Sequence, residues 1–376
     1  MTLSWINVLL VFLPLGILWG AMEWNSSTVF IFNFLAIIPL AKLLGFATEQ
    51  ISHSSGQTIG GLLNATFGNA VELILSIAAL KANLIRIIQI SLLGSILSNL
   101  LLVLGFCFMF GGLKFTEQTF SEFSASTSAS MLCITVFSLV IPAAFKAQMH
   151  LTSQPMDGMI GILELSRGTA VILLMVYVGY LFFQLKTHNH LFTEDEGEDD
   201  DVMETSLPFA IATLLIVTVA VCFCSEFLVG SIEGLAESWQ LSTSFIGFIL
   251  LPLVGNAAEH VSAITFALKN KMSLSISIAI GSSMQLALFV APLLVILGWI
   301  FDREMNLAFT VFEVSILVVS VFVVNSLIMD GRSNWLEGAL LLACYAVTSV
   351  AFYVMPDEKH NGSGTGSGSV VLGFGK

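Results

Sequence analysis

Apolar runs of roughly 20 residues follow one another along nearly the whole chain, each long enough to cross a hydrocarbon core of about 30 Å as a helix. In lipid the backbone must satisfy its own hydrogen bonds, which leaves only helices or a closed barrel, and runs of this length select helices. Hydrophobic residues make up 56% of the 376 positions and charged ones 10%, so a water-soluble core does not account for the composition. The reading is an all-α integral membrane protein with eleven transmembrane helices. They are expected at about 3–23, 28–47, 57–80, 84–111, 125–148, 157–185, 206–231, 242–268, 273–300, 306–329 and 334–354. Trp24-Asn25-Ser26-Ser27, Gly111-Gly112 and Asp330-Gly331-Arg332 punctuate these runs, and Trp5, Trp24, Trp299 and Trp335 fall near helix ends as an interfacial belt. Ahead of the first run there is no basic segment, so it reads as a retained helix rather than a cleaved signal.

Two stretches interrupt this apolarity with one pattern: Gly68-Asn69-Ala70-Val71-Glu72 and Gly255-Asn256-Ala257-Ala258-Glu259. A carboxylate at a bilayer centre costs at least about 3 kcal/mol, so it persists where it faces a bundle interior or an aqueous path. The motifs lie on helices 3 and 8, which makes the repeat unit five helices. An odd unit forces the two copies into opposite orientations, the arrangement that places substrate near the midplane. The layout is therefore an extra N-terminal helix (1–27), a first five-helix repeat (28–190), an acidic linker (191–205), a second, inverted repeat (206–356) and a flexible tail (357–376). Gly94-Ser95-Ile96-Leu97-Ser98 against Gly281-Ser282-Ser283-Met284-Gln285, and Thr48-Glu49 against Ser225-Glu226, keep the same register. Lys and Arg divide almost evenly between the two sides and do not set the orientation.

On a continuous helix Gly68, Asn69 and Glu72 share a face, as do Gly255, Asn256 and Glu259. Each face offers a carboxylate, an amide oxygen and a gap, and Pro252 is expected to free backbone carbonyls at a helix break. Brought together, these are oxygen ligands for a hard cation: Ca2+ accepts six to eight oxygens at about 2.3–2.6 Å in irregular geometry. Mg2+ demands a tighter octahedron, Zn2+ would want His or Cys, and Mn2+ shares the oxygen preference. Metal and protons then compete for Glu72 and Glu259, which gives exchange provided the empty, charged site does not reorient. No resident cofactor is expected, and the partners are inorganic cations and membrane lipid, with no nucleic acid. The five cysteines lie in apolar segments without metal-type spacing and read as small hydrophobes.

Other polar residues divide between bland and functional roles. Glu164 and Arg167, three apart on one helix, read as a structural brace. Glu49 and Glu226 are either solvated at the interface or relays toward opposite ends. Ser98 and Gln285 suit interhelical hydrogen bonds or the edge of the site. His260 reads equally as a packed histidine and as a gating one. Glu194, Asp195, Glu196, Glu198, Asp199, Asp200, Asp201 and Glu204 hold most of the formal charge of -13 and read as a solvated linker, or as a funnel that concentrates cations or a regulatory sensor, without the spacing of an EF-hand.

At Gly61 through Glu72, Glu164-Leu165-Ser166-Arg167-Gly168-Thr169, Val254 through His260 and Ile280-Gly281-Ser282-Ser283 the sequence resembles the cation/proton exchanger family of the calcium/cation antiporter superfamily, in particular fungal vacuolar Ca2+/H+ exchangers. The resemblance spans about residues 8–358. It implies a secondary transporter, not an enzyme, in the vacuolar membrane. Such a transporter exports Ca2+ from the cytosol with low affinity and high capacity by alternating access, driven by protons, with the matched glutamates binding cation and protons in turn. A Na+/Ca2+ exchanger of the same fold and a Ca2+ channel are the alternatives.

Overall fold

The protein is described by a computed structural model over residues 5–55, 57–151, 155–188 and 205–355. The acidic run Glu194 to Glu204 and the tail lie outside the described residues. Apart from a two-residue pairing of β1 (Gln118–Thr119) with β2 (Arg332–Ser333), the described secondary structure is helical.

A 3-10 turn, Trp5–Val11, leads into α1 (Phe12–Ala21), followed by α2 (Ser26–Ser55). The third expected helix is two: α3 (Gln57–Phe67) and α4 (Ala70–Lys81), parted at Gly68 and Asn69. Helix α5 (Ile85–Leu97) passes through a π-helical stretch, Ser98–Val103, into α6 (Leu104–Lys114). Helices α7 (Glu122–Leu151) and α8 (Pro155–Phe182) complete the first half. The second half runs through α9 (Leu207–Gly230), a short α10 (Ile232–Trp239), α11 (Thr243–Phe245), a π stretch (Ile246–Leu250), α12 (Leu251–Gly255) and α13 (Ala257–Leu268). Then come α14 (Met272–Gln285), a further π stretch (Leu286–Val290), α15 (Ala291–Ile300), α16 (Val311–Ile328) and α17 (Trp335–Val354).

Among the described residues eight helices are long and apolar enough to cross a membrane. The two that sit deepest are Ile85–Lys114 and Met272–Ile300, with 83% and 67% of their apolar windows buried, so these central helices form the wall on which both motifs rest. Close crossings are made by small residues: a side chain at Gly94 would meet the carbonyl of Phe248, and one at Gly338 would meet the backbone of Met109. Pro252 denies the Phe248 carbonyl its usual i+4 donor, which places a freed carbonyl opposite Gly94 through the π stretch.

Three expectations are corrected. Pro252 frees a carbonyl as expected, but the helix break itself falls at Asn256, one turn later, as the first break falls at Gly68 and Asn69. Segment 232–239, left between the seventh and eighth expected helices, forms α10, bent by 120° from the helices after it. The tenth helix starts at Val311, where Thr310 and Glu313 form a reciprocal capping box that fixes its first turn.

Candidate functional site

Because both motif helices break, Glu72 and Glu259 stand at the third position of a new helix, with Asn69 and Asn256 at the N-caps (φ -102° and -95°). Neither asparagine side chain caps its own helix, which leaves both amides free for the space between the halves. Helix N-termini carry unpaired N–H groups and a partial positive charge, and each therefore supports a carboxylate in its first turn. The two carboxylates lie close enough to interact electrostatically. Glu72 is 5% exposed and Glu259 half-buried.

Around the first asparagine and the second glutamate the polar groups are joined. Asn69 Nδ2 donates to Gln285 Oε1 at 2.7 Å, and Ser282 Oγ lies 2.9 Å from Asn69 Oδ1 and 2.7 Å from Glu259 Oε2. Asn99 Nδ2 donates to the same hydroxyl at 3.1 Å. A hydroxyl has one proton and cannot donate to both acceptors. Both contacts are satisfied when Glu259 carries a proton: the carboxyl then donates to Ser282, which donates onward to Asn69.

The counterpart group is different. Applying the spacing that carries Glu72 to Glu259 also carries Asn69 to Asn256, Ser95 to Ser282 and Ser98 to Gln285. Among the described residues Glu72 Oε1, Ser95 Oγ, Ser98 Oγ and both amide atoms of Asn256 are buried without a hydrogen-bond partner. The Tyr345 hydroxyl neighbours Ser98 but does not reach hydrogen-bond geometry. An unpaired buried polar atom costs about 1–3 kcal/mol, so these atoms are the ones a bound ligand would have to satisfy. Four of the five atoms are oxygens, the donor set of a hard cation. Gly255 completes it, since a Cβ there would stand 2.5 Å from Glu72 Oε1. Among the described residues no three His, Cys, Asp or Glu side chains converge, so a divalent ion here would draw on neutral oxygens beside the two carboxylates.

Gly68 is exposed beside Gln285, whereas Gly255 is buried. His260 is half-buried with its Nε2 unpartnered among the described residues, at the margin of the site. Glu49 and Glu226 are exposed and outside this network, while their neighbours Thr48 and Ser225 occupy the buried faces. The expected Glu164 to Arg167 brace is absent among the described residues: Glu164 is exposed and the Arg167 guanidinium lies over the Trp299 ring at 4.9 Å. Ser95, Ser282 and Asn99 were not singled out by sequence reading, although Ser95 and Ser282 sit at equal places in the two matched strings, which is the signal that finds them.

The sodium/calcium exchanger protein family profile matches residues 25–186 and again 209–354. The chain belongs to this family. It is 50% identical over 356 residues to the vacuolar calcium ion transporter of Schizosaccharomyces pombe, covering 94% of this chain and 85% of that one. It is 45% identical to a Ca(2+)/H(+) antiporter of Aphanothece halophytica, covering 93% and 96%. Among solved structures, that of selenium-substituted Ca2+/H+ antiporter protein YfkE superposes with a TM-score of 0.78 at 37% identity, covering 94% of this chain and all of that one.

Proposed function

We propose that this chain is a secondary antiporter that exchanges Ca2+ for H+ by alternating access, carrying Ca2+ out of the cytosol into an acidic vacuolar compartment. The observation that carries this reading is the pairing of two helix-start carboxylates, one tied into a proton-accepting network and the other set among unpartnered oxygens. Relatives named as vacuolar calcium transporter and Ca2+/H+ antiporter support the ions and the membrane.

Glu72 and Glu259 bind cation and protons in turn, Asn69 and Asn256 supply neutral oxygens, and Gly68 and Gly255 leave room for the ion. Ser98 and Gln285 edge the site, and His260 borders it. The exposed Glu49 and Glu226 would serve as relays only from the rim. Mn2+ fits the same oxygen donors as a minor substrate. The eleven-span layout counts each broken helix, 57–81 and 243–268, as one crossing and adds the apolar segment near the N-terminus to the eight long helices. Two inverted five-helix repeats, at 28–190 and 206–356, are supported by the twofold match of one family profile. The acidic residues 194–204, which lie outside the described residues, are read as a solvated linker, a funnel that concentrates cations, which added salt should weaken, or a regulatory sensor.

The second reading, Na+-driven Ca2+ exchange, is favoured by the family description. Ca2+ flux into reconstituted vesicles with pH and Na+ gradients imposed separately decides between them. Uptake driven by the pH gradient alone supports proton exchange. A strict Na+ requirement overturns it, and flux that needs neither gradient makes the protein a channel.

A further inference from the structure

From Arg303 to Thr310 the chain is neither helix nor strand, yet Met305, Leu307, Ala308 and Phe309 are buried. Irregular backbone at such depth survives only where the protein satisfies it. Here the partners come from four helices of the other half. Arg303 donates to the Lys81 carbonyl of α4 at 3.3 Å, and Gln89 of α5 donates to both the carbonyl and the side chain of Asn306 at 3.0 Å. Leu307 N donates to Ser166 Oγ of α8 at 3.1 Å, and Lys146 of α7 donates to the Ala308 carbonyl at 3.3 Å.

The last anchor is electrostatic. The Arg86 guanidinium forks onto Glu313 at 2.5 and 3.1 Å, and the Glu313 side chain is 0% exposed. The same carboxylate accepts from Thr310 N at 2.9 Å, so one group closes the strap and starts α16. A bidentate pair of this kind fixes geometry more than it adds stability, and parting it strands a buried charge.

The opposite connector, 115–121, is held in the reverse sense. Lys114 donates to the Leu268 carbonyl at 2.7 Å, and Gln118 donates to the Ala267 carbonyl at 3.0 Å and to the Asn270 side chain at 2.8 Å. Arg332, on β2, pairs with Glu117 at 2.9 Å. The anchoring carbonyls of Lys81 and Leu268 each precede a left-handed asparagine, Asn83 (φ 60°) and Asn270 (φ 61°). Each half is thus strapped by the other at the foot of its motif helix.

We propose that the 303–310 strap, keyed by Arg86 and Glu313, is a static cross-brace that positions the Glu72 helix against the second half, so that the site travels through the transport cycle as one rigid body. A gate at this place would have to surrender every one of these anchors in each turnover, including a buried charge pair. The inference rests on the exchanger reading, which proton-driven uptake by the wild-type chain in the same vesicles tests separately.

The test locks the strap. In a background with the five cysteines replaced, Gln89→Cys and Asn306→Cys are bridged by a short, reducible bifunctional thiol reagent, and Ca2+ uptake driven by a pH gradient is compared before bridging, after it and after reduction. Unchanged uptake in the bridged protein is the expected result. Uptake that stops on bridging and returns on reduction would show a moving gate and overturn the proposal. A second variant, Arg86→Met with Glu313→Gln, removes both charges together, so that no lone charge is left buried. It should raise the half-saturating Ca2+ concentration about tenfold, as a displaced ligand does, with a smaller loss of saturated flux. Wild-type half-saturation in this folded variant would also overturn the positioning role.

Discussion

The neighbourhoods of Asn69 and Asn256 contain nearly the same residues and are in opposite conditions. Asn69 is bonded to Gln285 and Ser282, and Ser282 reaches Glu259, whereas Asn256, Ser95, Ser98 and one oxygen of Glu72 are buried without partners among the described residues. Composition explains part of this: Gln285, which bonds Asn69, corresponds to the shorter Ser98, and Asn99, which bonds Ser282, corresponds to Leu286. Conformation differs as well: Gly68 is exposed where Gly255 is buried, and Val261, just after the second motif, is 51% exposed where Ile74 is half-buried. In this conformation one polar set is satisfied while the corresponding one is not. Alternating access needs such a difference, and a symmetric pore would not show it.

The strongest way to break the comparison is to neutralise either carboxylate. Glu72→Gln and Glu259→Gln should each lower proton-driven Ca2+ uptake by at least about a hundredfold, equivalent to about 2.7 kcal/mol, while the protein elutes as a folded species. Robust transport by either variant would remove that glutamate from the site.

Proton competition gives the next largest effect. Since metal and protons share the same oxygens, lowering pH on the side from which Ca2+ enters should raise its half-saturating concentration, by up to about tenfold per pH unit for each competing proton, with maximal flux unchanged. Inhibition that extra Ca2+ fails to relieve would separate the two ligands.

A smaller effect is expected at the glycine behind Glu72. A methyl at Gly255 would stand 2.5 Å from Glu72 Oε1, whereas at Gly281 nothing lies within 4 Å. Gly255→Ala should therefore weaken Ca2+ dependence several-fold and Gly281→Ala should not. Equal responses would mean that Glu72 does not use this gap.

The finest test compares the two amides. Asn69→Ala removes made hydrogen bonds, at about 1 kcal/mol each, and should lower the melting temperature measured without Ca2+. Asn256→Ala removes a side chain with no bond to lose and should leave that temperature level or raise it, while shrinking the stabilisation that added Ca2+ gives. Identical behaviour would erase the contrast between the halves.

Much of this was legible in the sequence because charge in apolar surroundings is costly. Glu72 and Glu259 declare themselves by that cost, and the spacing between them brings Ser98 and Gln285 into view. The helix breaks were harder to read: no proline marks the first, and Gly-Asn within an apolar run reads equally as a tolerated kink. Arg86 was hidden near a helix end, where a basic residue suggests a solvated flank, and its partner Glu313 lies at the opposite end of the chain. The Thr310-to-Glu313 spacing of a capping box was the only local sign of it. Arg167 misled for a related reason, since an acid three residues away looks like a partner until an aromatic ring from another helix takes the cation.

The π-helical stretches at Ser98–Val103 and Leu286–Val290 have a bearing on how the central helices are to be counted. Each carries one residue more than an α-helical path of the same length, and so rotates everything beyond it by roughly 100° relative to a regular 3.6-residue pitch. Ser95 and Ser282 lie just upstream of these stretches, so residues seven or eight places further along, which a helical wheel would draw on the same stripe, are rotated away from it. Each half therefore keeps its polar stripe short, the surplus residue ending it, with Pro292 just beyond the stretch in the second half.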